Sequence, residues 1–401
     1  MALTSTEAAA AEHASAAPML AQVQEWVAVN SGTGNLAGLA AMAELLADSF
    51  SPLPGDLHLR DPAPASQVRA DGGLAEVTHG RHLHLKVRPE APVQVLLTGH
   101  MDTVYPADHF FQAARWRSDG ALNAPGAADM KGGLALMRAA LGAVEASPLA
   151  TRIGYEVVLN SDEETGSFSS AALLAEAARG KAAALTYEPA LADGTLAGAR
   201  GGTGNFSLVV RGRSAHAGRN PEDGRNAIVA AAALAVRLAE AGGPDLSVNP
   251  ARIEGGGPNN VVPDLAVLRV NFRPRSAAAI ARADALIDAL LNDVASTYEV
   301  KVERHGSFNR PPKPIDPGAG RLFETVRAAG ADLGIPIAWK DTGGVCDGNN
   351  IAACGVPVVD TMGARGGAIH SVDEFLIVES LPERAALSAV TLLRLAAGAA
   401  L

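Results

Sequence analysis

The chain has 401 residues, of which 48% are hydrophobic and 19% are charged. This composition is typical of a globular protein of roughly two or three domains, and it excludes an intrinsically disordered chain. A formal net charge of −10 disfavours nucleic-acid binding, which needs an excess of lysine and arginine. Two cysteines without CxxC spacing exclude a disulfide framework, so we expect reduced thiols in a cytosolic protein. The sequence shows neither a secretory signal nor an uncharged apolar stretch of spanning length, so no membrane association is expected.

The first half of the chain alternates between predicted helices and strands. Apolar residues recur at helical spacing over 19–29 and 36–50, and a connection rich in proline and glycine follows. The next predicted segments are strands 82–88 and 93–97, helix 130–146, strand 153–160, helix 167–179 and strand 182–187. This alternation predicts an α/β fold with a mostly parallel sheet and helices on both faces.

A different pattern in the middle of the chain indicates an inserted α+β domain. Its elements are strand 205–213, helix 221–241, strands 246–254 and 264–273, helix 277–296 and strand 299–308. The order βαββαβ is the ferredoxin-like arrangement, and Pro221 marks the first position of its first helix. The first pattern then resumes with helix 317–333, strands 335–339 and 356–360, and helix 379–398. The chain is therefore predicted to form one α/β domain, residues 1–203 and 312–401, interrupted by the inserted domain, residues 204–311.

Side chains that can bind metals follow three of the predicted strands. They are His100 and Asp102, then Asp162, Glu163 and Glu164, and then Glu188. Two loops add Asp129 and His370. Ligands in an open α/β sheet bind beyond the carboxyl ends of the strands, so these side chains are expected to meet. Imidazole and carboxylate groups without thiolates suit zinc, and also manganese or cobalt.

The number of candidate ligands exceeds what one catalytic zinc ion takes, which is three protein ligands and an open position. Five candidates would serve two metal ions if one carboxylate is shared: His100, Asp129, Glu164, Glu188 and His370. Asp102, two residues after His100, could accept the other ring N–H of that histidine. Adjacent Glu163 and Glu164 need separate tasks, one as a ligand and one as a free base, and spacing does not decide between them.

Five short motifs resemble those of a known family, and they occur in the family's order. They are Gly99-His-Met-Asp-Thr-Val, Ala128-Asp-Met-Lys-Gly-Gly, Asp162-Glu-Glu-Thr-Gly, Ser214-Ala-His-Ala-Gly and Ile369-His-Ser. The family is that of the dinuclear-zinc metallopeptidases, with glutamate carboxypeptidase, acetylornithine deacetylase, succinyl-diaminopimelate desuccinylase and peptidase T. The resemblance covers about residues 15–400 and is strongest to the bacterial glutamate carboxypeptidase branch.

The resemblance implies a cofactor of two Zn²⁺ per chain, with Co²⁺ or Mn²⁺ as alternatives. Asp129 resembles the carboxylate that bridges the two ions. His100 and Glu188 resemble the ligands of one zinc ion, and Glu164 and His370 resemble those of the other.

The resemblance also assigns the catalytic groups that spacing leaves open. Glu163 resembles the general base, and Asp102 resembles the residue that orients His100. The bond between Asp129 and Met130 stands where the family has a cis peptide.

For the inserted domain, the resemblance implies a role in homodimerisation and in closing over the site. His216 resembles a histidine that reaches the partner's active site and stabilises an oxyanion. Asn260 resembles a substrate-binding asparagine, and Arg273 and Arg304 stand where the branch has arginines that can hold a carboxylate. The segment Thr342-Gly-Gly-Val-Cys-Asp-Gly resembles a glycine-rich loop around the substrate carboxylate, with Val-Cys as a departure.

The predicted function is that of a hydrolase that cleaves an amide next to a free carboxylate in a small-molecule substrate. An exopeptidase of the glutamate carboxypeptidase type and an N-acyl-amino-acid deacylase both fit. A non-catalytic relative would have lost ligands or Glu163, and all of these residues are present. A dinucleotide-binding enzyme is disfavoured because the glycine cluster 198–204 neither follows a first strand nor opens a helix.

Overall fold

The computed structural model describes residues 2–399, and its largest sheet has six strands. Four of them run parallel, and the two strands at one edge pair antiparallel. In spatial order they are Asp56–Arg60, His82–Val87, Ile153–Asn160, Val93–His100, Ala183–Thr186 and Val358–Val359. The mostly parallel sheet predicted from the sequence is confirmed, with an antiparallel edge in addition.

Helices cover both faces of this sheet because its central strands are apolar on both sides. Every residue of Ile153–Asn160 is buried. One face packs against helices Ser5–Ser15, Met19–Val27, Leu36–Phe50, Gly132–Glu145, Pro317–Asp332 and Ser380–Ala396. The other face packs against the shorter helices Ala171–Ala178 and Asp347–Ala353. The layer arrangement is that of an α/β protein.

The inserted segment forms a four-stranded antiparallel sheet with a core of its own. The spatial order is Leu246–Gly255, Leu265–Pro274, Thr203–Arg211 and Lys301–Arg310. Helices Ala227–Glu240 and Ala277–Thr297 pack on one face of it. The chain order of these elements is the predicted βαββαβ. The exact residues at which the inserted domain begins and ends, 204 and 311, remain a prediction.

The first helix of the inserted domain begins later than Pro221, where we placed its start. A short 3₁₀ turn, Pro221–Asp223, is followed by extended backbone that pairs Arg213 with Arg225. The helix begins at Ala227 because the Asn226 side chain accepts the backbone N–H of Val229 and caps it there. The acidic turn after Pro221 therefore belongs to a loop.

Several short elements were not predicted. Helix Ser5–Ser15 begins with a capping box between Thr4 and Glu7. A five-stranded sheet holds, in spatial order, Ala190–Leu191, Arg365–Gly367, Phe375–Leu376, Leu122–Asn123 and Arg115–Trp116. Strand Leu196–Arg200 pairs with strand Trp339–Thr342. The second of these is the strand predicted over 335–339, and it lies a few residues later than predicted.

A hairpin from the α/β part reaches the inserted sheet. Its strands are Ala65–Val68 and Leu74–Val77. Val68 packs with Val209 and Val267 on the face that the two helices leave open. A guanidinium N–H of Arg269 donates to the Val68 carbonyl at 2.7 Å. The two parts of the chain are thus joined by this contact as well as by their connecting segments.

Within residues 2–399, no helix combines the length and the apolar character that crossing a bilayer requires.

Candidate metal centre

The predicted ligands meet where the parallel strands end. His100 is the last residue of its strand, and Glu188 follows strand Ala183–Thr186 by two residues. Glu163 and Glu164 stand in a short 3₁₀ turn directly after Ile153–Asn160. Because these strands are parallel neighbours, their carboxyl ends share one edge of the sheet.

Asp129 lies at the centre of the cluster, between the two histidines. Its Oδ1 is 3.1 Å from Nε2 of His100, and its Oδ2 is 3.3 Å from Nε2 of His370. Nε2 of His370 is also 3.2 Å from Oε2 of Glu164, and Nε2 of His100 is 3.8 Å from Oε2 of Glu188. The structure therefore brings all five predicted ligands together, and the Asp129–Met130 peptide is cis, as the resemblance implied.

The chemistry of this cluster fits two divalent cations. Ligand atoms of His100, Asp129 and Glu164 lie within 4.8 Å of one another, and so do those of His100, Glu163 and Glu188. Burial, together with the charge of Asp129, raises the pKa of Glu164 to about 7. Burial also raises the pKa of Glu188. Carboxylates crowded and buried in this way are stabilised in their charged form by bound cations.

Asp102 contacts the cluster in a different way from the one predicted. Nδ1 of His100 is 2.9 Å from the backbone carbonyl oxygen of Asp102 and 3.5 Å from its carboxylate. The carboxylate instead accepts the backbone N–H groups of Glu163 and Glu164, at 3.2 and 3.1 Å, and the Thr33 hydroxyl at 2.8 Å. Asp102 thus ties the turn that carries the two glutamates to the strand that carries His100.

A second carboxylate, Glu374, supports the loop of Asp129 and was missed in the sequence. It accepts the backbone N–H groups of Gly126, Ala128 and Asp129 at 3.0–3.1 Å, and the Tyr105 hydroxyl at 2.8 Å. Burial and the nearby charge of Asp129 raise the pKa of Glu374 to about 7. Its position four residues after His370 was the only local signal in the sequence.

Glu163 differs from Glu164 in its surroundings. Burial raises the pKa of Glu163 well above its usual range, and the positive charge of Arg310 opposes this effect. Nη2 of Arg310 is 2.7 Å from Oε1 of Glu163. Nothing in the local sequence marked Arg310 as part of the site.

A cavity of about 510 Å³ opens beside the cluster, and several cationic side chains line it. Arg200 forms two hydrogen bonds with Asp360, at 2.8 and 3.0 Å, which neutralise it. Within the described part of the chain, the Arg273 side chain donates only to the side-chain oxygen of Asn271, at 2.8 Å. Among residues 2–399, no carboxylate lies within ion-pair distance of Arg273. This guanidinium is therefore available to a bound anion.

The glycine-rich loop lines the cavity only in part. Thr342, Gly344, Val345 and Cys346 border it. Asp347 turns away and is buried, accepting the Ser167 hydroxyl at 2.5 Å and the side-chain N–H of Asn160 at 2.7 Å. Asp347 begins a helix here, so its side chain packs behind the cavity wall.

The other three predicted substrate contacts lie outside this cavity. Arg304 forms ion pairs with Asp284 and Asp288, and its guanidinium lies over the Phe206 ring. The expectation that Arg304 holds a substrate carboxylate is therefore corrected, because its strand position directs it toward the helices. His216 and Asn260 are exposed neighbours in the inserted domain, where the Ala217 N–H donates to the Asn260 carbonyl at 2.9 Å.

The sequence matches a known family over most of its length. The profile described as "Peptidase family M20/M25/M40" matches residues 96–394. Carboxypeptidase G2 of Pseudomonas sp. (strain RS-16) is 28% identical over 386 residues, which cover 94% of this chain and 89% of that protein. A succinyl-diaminopimelate desuccinylase of Xanthomonas oryzae pv. oryzae (strain MAFF 311018) is 33% identical over 315 residues, which cover 73% and 80%.

Solved structures show the same fold. The M20 family metallo-carboxypeptidase Sso-CP2 from Sulfolobus solfataricus has a TM-score of 0.73 at 14% identity, covering 95% of this chain and 100% of that one. Aminopeptidase PepT from Bacillus cereus ATCC 10987 has a TM-score of 0.71 at 23% identity, covering 94% and 98%.

These similarities define the class as that of the M20 metallopeptidases, which are metal-dependent hydrolases. The chain belongs to peptidase family M20/M25/M40. The family predicted from the motifs is thereby confirmed, and so is a hydrolytic enzyme.

Proposed function

We propose that this protein hydrolyses the amide bond that joins a free amino acid to an acyl or aminoacyl group. One observation carries the proposal: Arg273, a guanidinium without an anionic partner among residues 2–399, lines the same cavity as Glu163, Glu164 and His370. A carboxylate held by Arg273 would place the adjoining amide toward the metal cluster. Guanidinium groups bind carboxylates through two parallel hydrogen bonds, which fixes orientation as well as position.

Two zinc ions per chain are the proposed cofactor. His100, Glu188 and Asp129 would hold one ion, and Asp129, Glu164 and His370 the other. Bound there, the ions would act as Lewis acids toward the scissile carbonyl. The oxygen and imidazole donors fit Zn²⁺, and they would also accept Co²⁺ or Mn²⁺.

The proton transfers are assigned to Glu163. Its carboxylate would take a proton from the attacking water and later deliver it to the leaving nitrogen. Asp102 would hold the Glu163 backbone in place through the N–H contact at 3.2 Å. Glu374 would fix the loop that presents Asp129.

Two substrate classes share this chemistry. Similarity to carboxypeptidase G2 over 94% of the chain supports a carboxypeptidase, in line with the glutamate carboxypeptidase motifs that the sequence resembles. Similarity to succinyl-diaminopimelate desuccinylases at 33% identity supports an N-acyl-amino-acid deacylase. A liquid-chromatography screen of zinc-loaded enzyme against dipeptides and N-acyl amino acids separates the two. The screen should include glutamate, aspartate and aromatic leaving residues. A preference for substrates with a blocked carboxylate would contradict the proposal.

We also propose that the inserted domain forms a homodimer in which His216 and Asn260 serve the partner's site. Their exposure, and their position outside the chain's own cavity, support this role. Sedimentation of the purified protein should give a dimer, and His216→Ala should lower kcat without dissociating it. A fully active monomer would contradict both statements. A cytosolic location is part of the proposal, supported by the two free cysteines.

A further inference from the structure

The last strand of the inserted sheet contains an extra residue at its carboxyl end. Asn205 pairs with Ser307, but Thr203 pairs with Arg310. An advance of two residues along strand Thr203–Arg211 therefore corresponds to three residues along strand Lys301–Arg310. Alternation along a regular strand would place Arg304 and Arg310 on the same face of the sheet. The bulge reverses the alternation and re-aims Arg310. Arg304 therefore lies over Phe206 on the helix side, whereas Arg310 reaches the α/β part.

Arg310 is buried, and its closest contacts are with the turn that carries Glu163, while the Asp347 carboxylate lies farther away, 3.6 Å from Nη2. Nη2 lies 2.7 Å from Oε1 of Glu163, an ion pair without a well-aligned hydrogen bond. The same nitrogen donates to the Glu163 carbonyl and to the Ser167 hydroxyl, both at 2.8 Å. The preceding residue, Asn309, donates to the Gly166 carbonyl at 3.1 Å. Two consecutive residues of one strand therefore hold both ends of the turn.

The neighbouring glutamate has no such partner. Oε2 of Glu164 is 3.2 Å from Nε2 of His370, and a Glu164 carboxylate oxygen lies within 4.8 Å of a ring nitrogen of His100 and a carboxylate oxygen of Asp129. A ligand oxygen of Glu163 also lies within 4.8 Å of His100 and Glu188. Proximity alone would therefore allow Glu163 to bind a metal ion. The guanidinium is what distinguishes these two glutamates, because it pairs with Glu163 and not with Glu164.

We propose that Arg310 is a positioning residue that keeps the Glu163 carboxylate at the border of the metal cluster and out of metal coordination. This inference rests on the proposed function, in which Glu163 transfers the protons. Arg310 thereby assigns different tasks to two adjacent, chemically identical side chains. A displacement of the catalytic group by about 1 Å is enough to cost about 100-fold in rate. Arg310 acts through Glu163, so its loss is expected in kcat.

The test is a double-mutant cycle between Arg310→Met and Glu163→Gln in the zinc-loaded full-length enzyme. Arg310→Met should lower kcat about 100-fold with KM changed less than about threefold. Metal analysis should still find two ions per chain. In the Glu163→Gln background, Arg310→Met should cause no further loss, because the group that it positions is already absent. Arg310→Lys keeps a charge without the planar fork and should recover part of kcat.

Arg88→Met is the matched control, since Arg88 also pairs with a carboxylate, Glu145, and with a backbone carbonyl. It lies beside Ile153, at the opposite end of the strands from the site. The kcat of the Arg88→Met variant should stay within about twofold of the wild-type value. If Arg310→Met fails to fold, Arg310→Lys carries the same cycle.

Two results would overturn the role of Arg310. One is a raised KM with unchanged kcat, which would make Arg310 a substrate ligand. The other is a loss of equal size in both backgrounds. A wild-type kcat in the Glu163→Gln single variant would instead refute the proposed function. Glu163 would then not be the base, and Arg310 would have no catalytic group to position.

Discussion

Replacing Arg273 with methionine removes the cation that is proposed to hold the substrate carboxylate. The substitution keeps an unbranched apolar stem and removes the guanidinium beyond it, so the sheet around it should be preserved. The only hydrogen bond lost from the described structure is the one to the Asn271 side chain. The change therefore tests binding of the anion with little effect on folding.

The expected magnitude follows from the position of Arg273 at the border of the cavity. The side chain is exposed in this structure, and ion pairs that stay exposed contribute about 1 kcal/mol or less. Removing one partner of a buried, hydrogen-bonded pair costs about 2–5 kcal/mol. A bound substrate would cover Arg273 partly, which gives about 2 kcal/mol, or roughly 30-fold in kcat/KM.

The assay compares a substrate that has a free carboxylate with the same molecule carrying a carboxamide. Arg273→Met should lower kcat/KM about 30-fold for the acid and less than about threefold for the amide. Lys301→Met, which removes an exposed cation from the edge strand of the same sheet, is the control and should change neither value. An equal loss for acid and amide, or no loss for the acid, would refute the reasoning.

Three further predictions concern the base, the sheet and the hairpin. Glu163→Gln should leave two metal ions per chain and lower kcat by at least about 100-fold, and unchanged turnover would contradict the assignment. Burial raises the pKa of Glu156, but hydrogen bonds with His84 and Lys181 outweigh this effect and lower the pKa to about 2. That stabilisation is complete above the usual value of 4.5 and is lost as the pH falls through about 2. Urea unfolding between pH 3 and 7 should therefore show a weaker acid dependence for Glu156→Gln, and parallel curves would exclude this role. Val68→Asp should detach the hairpin, so that trypsin cleaves at Arg69 faster than in the wild type, and equal cleavage rates would count against the packing.

The ligand cluster was predictable because each of its parts has a local signature. An apolar strand followed by a short polar motif places the polar side chains at the sheet edge, whatever the rest of the fold does. His100, Glu164 and Glu188 are of this kind, and the structure brings them together. The ferredoxin-like order was predictable for the same reason, since each element has its own periodicity.

The supporting residues were not predictable because their partners are distant in the sequence. Arg310 contacts Glu163 across 147 positions, and Glu374 contacts Asp129 across 245. The error for Arg304 has a related cause, because only the register of the sheet reveals the bulge that separates it from Arg310. The late start of the helix at Ala227 depends on a cap that competes with an equally plausible turn at Pro221.

Anomalous X-ray diffraction at the zinc absorption edge, measured on crystals of zinc-loaded protein, tests the central claim most directly. Two peaks about 3.5–4 Å apart should appear on either side of the Asp129 carboxylate. One should lie beside His100 and Glu188, and the other beside Glu164 and His370. Crystals of zinc-loaded protein that show no anomalous peak at this cluster, or show zinc bound only elsewhere, would contradict the account.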